Sequence, residues 1–452
     1  MTGAGYADAL DRALAAVDGE RVAQLCAALV DIPSPTGEEA PLAEWIADQL
    51  RRLGIDSRMQ VIDERQANAW AQIGRPGDGP DLLLYAPIDT LTTGNPDEDL
   101  PWVGRDLASH AMPVALRTGE RLMGLGAHNP KGHAACVMAA LEAVAAAEVP
   151  LSGRLLAGFG AGGMPTNARD VAGPHEAGAG GQGRFGRRNT GQGVGASFLL
   201  EQGVWADAAI IAKSGWAVSW EEVGLAWIDV NVHGIHTYVG ARHRLPYRNP
   251  IVDAGRVAAC LDEWFGHYTA RHTAGLVAPQ GVVAAAEAGW WRMAAVVPAV
   301  ARLRVDLRLA PGQSPLDAQR ELDAALDDVR TGDDAIDVES ELALAIPGSR
   351  TDPDHWITVA AIEAWESVTG STHEPITATS GATDANILRN RGIPTVRIGL
   401  PKATENGVEL DFARGMNTVD VAALDLLTRH LVTTAVMVGT GSRADLHRGV
   451  PC

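Results

Sequence analysis

Lysine is almost missing from this chain. Of 37 basic residues only Lys131, Lys213 and Lys402 are lysines, so the place of each one is informative. Cysteine is as scarce. Cys26, Cys136, Cys260 and Cys452 show no C-x-x-C spacing, which excludes a disulfide framework or a zinc ribbon and reads as free thiols. No apolar run approaches the roughly 18 residues that a membrane-spanning helix needs. Residues 1–21 read as an amphipathic helix, with Tyr6, Leu10, Leu14 and Val17 opposite Asp8, Asp11 and Asp18, and not as a leader. A cytoplasmic location is the expectation. Positive charge is also in deficit. The formal net charge of −19 argues against nucleic acid or an anionic membrane as partner.

What is present is the composition of a soluble globular protein, 46% hydrophobic and 21% charged. Its 452 residues exceed one ordinary core and point to two domains. In the first part, helical spacing over 21–53 is broken at Ile32-Pro33-Ser34-Pro35-Thr36-Gly37. Residues 81–88 and 153–160 read as buried strands, and 134–147 as an Ala-rich helix. That alternation predicts a parallel or mixed sheet covered on both faces. Between 160 and 195 the composition turns to Gly, Arg, Asn and Gln, the pattern of a surface loop or a lid. A second pattern follows: strand 225–232, helix 250–265, strand 300–309, helix 314–329 and strand 335–344. It matches a split βαβ module, a ferredoxin-like unit. After it, helix 355–370, strand 395–400 and helix 419–439 return to α/β character. The fold class expected is therefore α/β: a larger mixed-sheet, catalytic-type domain (1–221 and 345–452) carrying an inserted small domain (222–344).

Several phrases occur in a telling order: Ile32-Pro33-Ser34-Pro35-Thr36-Gly37-Glu38-Glu39, Gly124-Leu125-Gly126-Ala127 with Lys131-Gly132, Val297-Pro298 with Val305-Asp306-Leu307-Arg308, Gly381-Ala382-Thr383-Asp384, and Arg391-Gly392-Ile393-Pro394. With this architecture the chain resembles the zinc-dependent aminoacylase and exopeptidase family of acetylornithine deacetylase, succinyl-diaminopimelate desuccinylase and carboxypeptidase G. The resemblance implies two zinc ions near the C-terminal ends of the sheet, held by two histidines and three acidic residues. A glutamate acts as general base on a metal-bound water. This sequence departs from that pattern at most ligand positions. The first histidine is Pro87, and only the bridging-type Asp89 remains. Asn129 precedes Pro130-Lys131-Gly132 where an acidic residue is usual. The paired glutamates fall at Gly162 and Gly163, the next acidic ligand at Lys213, and the last histidine near Met416. His110, His128, His133, His236 and His243 keep no ligand spacing that would replace them. No metal or other cofactor is expected.

The residues left at these positions define a candidate site. Lys213 stands where a carboxylate bound zinc, so the sequence predicts that its ammonium pairs with Asp89, as a proton-moving couple or as a salt bridge. Gly162, Gly163 and Asn167 offer backbone N–H groups to an anion, or form a plain turn. Lys131 reads as support. In the insert, Tyr238 takes the place of a family histidine four residues after Gly234, and His236 shares its side of the strand. Arg242, Arg244 and Arg248 form a basic cluster, a clamp for a carboxylate or a solvated loop. Ser380, Thr383, Asp384 and Asn386 complete a polar turn. The function expected is a hydrolase-like enzyme acting on an amide-type bond of a small polar molecule, by hydrolysis or its reverse, without zinc. A non-catalytic binding homologue and a metallohydrolase with an atypical site are the alternatives. The resemblance also implies a homodimer formed through the inserted domain.

Overall fold

In the computed structural model, which describes residues 3–104, 106–166, 191–331 and 336–446, the uninterrupted apolar run at 81–88 becomes the strand Leu82–Pro87, buried at every position. Its side chains alternate between two cores. Leu82, Leu84 and Ala86 pack on one side of the sheet, and Leu83 and Tyr85 on the other. Such a strand has helices on both faces and carries no polar side. It lies near the middle of a six-stranded sheet ordered Asp56–Val61, Ala67–Gly74, Arg154–Gly160, Leu82–Pro87, Ala208–Ala212, Thr395–Ile398. The first three run antiparallel to one another, and the last four are mutually parallel. The parallel strands therefore end on one edge, at Asp89, Ala161, Lys213 and Gly399, where a crevice for ligands forms in sheets of this kind.

One face is covered by Gly19–Val30, Ala40–Arg52, Lys131–Ala146 and Val421–Gly439, and the other by the shorter Val194–Glu201 and Ala385–Asn390. Val421–Gly439 is long and apolar enough to cross a membrane by length and composition, contrary to the expectation from the sequence. It is 72% buried within the protein, as a central core helix is. The N-terminal helix is also split where one was expected: Gly3–Ala15 ends, and Asp18 caps Gly19–Val30 by accepting a hydrogen bond from the Glu20 amide at 2.9 Å. Cys26, Cys136 and Cys260 are free thiols; Cys452, Asn167 and most of the glycine-rich stretch lie outside the described residues.

The chain divides into two compact units, 1–220 with 351–375 and 383–452, and 221–350 with 376–382. The second unit is a four-stranded antiparallel sheet ordered Gly281–Ala288, Val300–Leu309, Gly224–His233, Val338–Ile346, with Pro250–His272 and Pro315–Ala325 as its main helices. In chain order this is strand–helix–strand–strand–helix–strand, the ferredoxin-like arrangement. Its two long strands pair residue for residue from Val300 opposite His233 to Leu309 opposite Gly224. Ile228, Val230, Val305 and Leu307 are on the buried face.

Candidate functional site

Asp89 follows the strand Leu82–Pro87 and is fully buried. Two backbone bonds fix it: the Ile88 amide to the Gly160 carbonyl at 2.9 Å and the Thr90 amide to the Ser34 carbonyl at 2.8 Å. The second draws the segment 34–39 alongside, because the Thr36 amide returns a bond to the Thr90 carbonyl at 3.2 Å. Thr36 and Glu39 are thereby delivered to Asp89. Lys131, fully buried at the start of Lys131–Ala146, ties down the same segment by donating to the Ile32 carbonyl at 2.6 Å. Burial holds its ammonium down at about 7. Its role is positional.

Opposite them, the chain leaves the strand Arg154–Gly160 and spends four successive backbone N–H groups on side chains. Ala161 donates to Asn68 Oδ1 at 3.0 Å, Gly162 to Glu39 Oε1 at 3.0 Å, Gly163 to Asp89 Oδ1 at 2.8 Å and Met164 to Asp89 Oδ2 at 2.9 Å. Gly162 has a φ of +61°, the left-handed conformation that lets consecutive amides turn toward one concavity. Thr36 adds its hydroxyl to Asp89 Oδ2 at 2.8 Å. The N–H groups that the sequence offered to a substrate anion at Gly162 and Gly163 are thus bonded to carboxyl groups of the protein itself.

The glycines are required by space as well as by conformation. A Cβ on Gly163 would lie 2.6 Å from Pro87 Cβ and 3.1 Å from both Asp89 Oδ1 and Asp384 Oδ2, and a Cβ on Gly160 would fall on the Tyr85 hydroxyl. That hydroxyl donates to Asp384 Oδ2 at 2.8 Å. Burial first, then the charge of Asp384, pushes the Tyr85 phenol upward, so it remains a donor. Glu39, Asp89 and Asp384, all buried, surround Gly162 and Gly163.

Glu39 stands apart from its neighbours. Its Oε1 accepts from the Gly37 amide at 2.9 Å, the Gly162 amide at 3.0 Å and Gln66 Nε2 at 3.4 Å, while its buried Oε2 has no hydrogen-bond partner among the described residues. Burial, and next the nearby Asp89, raise this carboxyl to about 8. It keeps its proton at neutral pH.

The expected couple of Asp89 with Lys213 takes a different form. Asp89 accepts three hydrogen bonds, from Thr36, Gly163 and Met164, and Lys213 is not among the donors. The physical reason is that backbone amides already supply the positive potential that a cation was expected to supply. Lys213 follows the strand Ala208–Ala212, with its amide bonded to the Ile398 carbonyl at 3.0 Å. Its charge adds to burial and to the neighbouring His128 in holding the His133 imidazole far below its usual range. His133 accepts the Leu400 amide at 3.2 Å, and His128 lies 3.2 Å from the Pro401 carbonyl. Asn129 donates to Met416 Sδ at 3.3 Å, so the residues at two positions where the resemblance implies ligands contact each other. Thr383 accepts the Ala385 amide at 3.2 Å, and Asn386 is buried in the short helix Ala385–Asn390.

The remaining candidates belong to the second unit. His236 and Tyr238 are exposed on either side of buried Thr237, as strand alternation requires, and His236 Nδ1 lies 2.8 Å from the Val297 carbonyl. Within the basic cluster, Arg248 is paired with the buried Asp253, Arg242 lies over the Tyr247 ring at 4.4 Å, and Arg244 is exposed. Ser380 accepts the Gln280 amide at 3.1 Å. Glu39, Thr36 and Tyr85 were not picked out from sequence. The signal for the first two was Thr36-Gly37-Glu38-Glu39 itself, which marked the fold and was given no chemistry.

Among the described residues, no group of three His, Cys, Asp or Glu side chains is arranged to hold a metal ion. The donor set does not fit a dizinc centre: both oxygens of Asp89 face N–H and O–H donors, where a metal needs lone pairs.

No family model matches the sequence. Solved structures do match its fold. Human carnosine dipeptidase 1 is 16% identical with a TM-score of 0.63, over 94% of this chain and 98% of its own. An M20 family metallo-carboxypeptidase from Sulfolobus solfataricus is 14% identical with a TM-score of 0.62, over 92% and 98%. A Bacillus subtilis protein described as a dinuclear metal binding peptidase from the M20 family is 16% identical with a TM-score of 0.60, over 93% and 98%. This chain carries the fold of the M20 metallopeptidases, from end to end of those proteins.

Proposed function

We propose that this protein is a metal-independent, hydrolase-like enzyme that acts on an amide-type bond of a small, carboxylate-bearing molecule, by hydrolysis or its reverse. Fold relatives named as a dipeptidase, a tripeptidase and a metallo-carboxypeptidase support the bond type. The observation that carries the proposal is the pair of unlike carboxyl groups at the end of the parallel strands. Glu39 holds a proton to about pH 8, and Asp89 beside it accepts three donors. A site that separates two carboxyl groups in this way can assign one as acid and the other as acceptor. The proton on Glu39 would be delivered from Oε2, the oxygen without a partner, to a leaving nitrogen or a carbonyl oxygen. A non-catalytic binding protein is the second reading, favoured by the complete burial of Asp89 and Glu39.

Two measurements on the purified full-length protein test this. Elemental analysis is expected to find no stoichiometric zinc, and a panel of N-acyl amino acids and dipeptides is expected to reveal turnover that chelators leave unchanged. Close to two metal ions per chain would overturn the metal-free reading. Binding without turnover, unaltered by Glu39→Gln, would leave the binding protein as the answer.

A further inference from the structure

Charge is unevenly spread over the second unit. About one residue in eight of the chain is acidic, 56 of 452, yet the segments 234–252 and 288–299 hold no acid at all. They hold Arg242, Arg244, Arg248 and Arg292, with His236 and His243. The structure joins the two segments at one end of the four-stranded sheet, where Gly224–His233 and Gly281–Ala288 finish and Val300–Leu309 begins. The Gly234 amide donates to the Ala299 carbonyl at 2.8 Å, Tyr238 pairs with Val296, and the Val239 amide donates to the Ala295 carbonyl at 2.9 Å. The helix Pro250–His272 starts at the same end: the Ile235 amide reaches the Arg248 carbonyl at 2.9 Å, and a Cβ on Gly289 would stand 3.7 Å from Ile251 Cδ1. The nearest acids stand at the margins. Asp253 is buried and paired with Arg248, Glu287 lies near the end of its strand, and Asp337 and Glu339 belong to the outer strand beyond His233. This end is apolar as well as basic. Trp290 and Trp291, consecutive in the turn after Gly289, are 60% and 89% exposed, and Val239, Leu245 and Ile251 are exposed on the joined segments together with Arg242, Arg244 and Arg292.

We infer that this end of the second unit docks on an anionic lipid surface, with Trp290 and Trp291 entering the headgroup region and Arg242, Arg244 and Arg292 meeting the lipid charge. Exposed apolar groups gathered in one place mark a surface that meets something other than water. Tryptophan settles at the level of the headgroups, where its ring is half in hydrocarbon and its N–H keeps a polar partner. Arginine lays its stem along the same apolar layer and holds its charge at the polar one. A lipid surface also presents negative charge alone, which is the sign that the acid-free segments complement. The net charge of −19 counts against such a surface for the chain as a whole, but the sign is reversed at this end. Charges farther than roughly 8 Å from the lipid are largely screened at physiological ionic strength. An acidic protein would be drawn by the same arginines, but it would have to bring a pocket for each indole. A fluid bilayer needs none, and so accepts a Trp291 that its own fold leaves almost uncovered. A nucleic acid would leave Val239, Leu245 and Ile251 in water.

Co-sedimentation of the full chain with vesicles of three parts phosphatidylcholine and one part phosphatidylglycerol tests this. The wild type is expected to sediment with them, and to bind vesicles of phosphatidylcholine alone about tenfold more weakly. Trp290→Ala with Trp291→Ala should lower the partition coefficient about tenfold in both lipids. Arg242→Gln with Arg244→Gln should weaken binding to the anionic vesicles alone and flatten its dependence on salt. Both pairs change only exposed side chains, so thermal unfolding should stay as in the wild type. A wild type that stays in the supernatant with anionic vesicles overturns the inference, as does binding that neither pair of substitutions reduces. Binding of polyglutamate or of a single-stranded oligonucleotide by a wild type that ignores vesicles, lost in the arginine variant, would assign this end to an acidic macromolecule and overturn it equally.

Discussion

Replacing Glu39 by glutamine should make the protein increasingly more stable than wild type as pH rises. The side chain is fully buried, and its Oε1 accepts from the amides of Gly37 and Gly162 and from Gln66. Glutamine keeps an oxygen for those donors and puts an amide nitrogen where the carboxyl proton now sits. The carboxyl lies at about 8 in the folded protein against an ordinary 4.5. Between these values the unfolded chain gives up its proton while the folded one retains it. Folding stability therefore falls as pH rises above about 4.5, and the loss is complete above about 8. At about 1.4 kcal/mol per pH unit, it amounts to roughly 3 kcal/mol at pH 7 and roughly 5 kcal/mol at pH 9. Lys131, held down at about 7, acts in the opposite sense, adding stability as pH rises from about 7 toward its ordinary range. That effect is common to both proteins and cancels in their difference. Urea unfolding of wild type and Glu39→Gln at pH 5, 7 and 9 measures the difference. It should be small at pH 5 and widen at each step. A constant difference, or one that widens toward acid, would refute a buried, protonated Glu39.

Three further outcomes follow from the same geometry. Asp89→Asn is expected to turn an amide N–H toward the backbone N–H of Gly163 or Met164, leaving a buried donor unpaired at a cost of about 1–3 kcal/mol; chemical denaturation would show it. Tyr85→Phe removes the hydroxyl that reaches Asp384 at 2.8 Å and should cost about 1–3 kcal/mol, with Tm falling and the far-ultraviolet circular dichroism unchanged. Gly163→Glu, which places an acidic side chain where the resemblance implies a ligand, should lower stability by about 1–3 kcal/mol through overpacking against Pro87. It should not create zinc binding, as calorimetric titration with zinc would establish.

Much of the fold could be read from periodicity. The alternation in Val300–Leu309 gave that strand to the residue, and the apolar run at 81–88 fell within a residue or so of Leu82–Pro87. Strands at the sheet margins were harder. Asp56–Val61 and Ala67–Gly74 are interrupted by charged and amide residues, and Gly281–Ala288 is mostly alanine, so neither a period of two nor β-branching stood out. The site was only partly legible for another reason. Asp89 was found as the bridging-type acid that the resemblance retains, and Gly162 and Gly163 as positions where it implies glutamates, but a sequence shows absent side chains more readily than backbone bonds. No residue type announces that the amides of 162–164 will turn onto Glu39 and Asp89. The pairing of Asp89 with Lys213 was argued from the place of Lys213 in the resembled family's pattern and from charge, whereas the donors to Asp89 are Thr36, Gly163 and Met164.

The contact between Gly163 and Pro87 limits what the site can accept. A Cβ at 163 would meet Pro87 Cβ at 2.6 Å, so any side chain at that position overpacks against the proline. A histidine at 87 would add a bulky polar ring beside an Asp89 whose oxygens are already bonded. Each single substitution toward a metal-binding arrangement therefore passes through a less stable protein, and the benefit of a bound ion would arrive only after several had been made together. With the backbone closed around Asp89, one substitution at a time can adjust this site far more readily than build a metal centre in it.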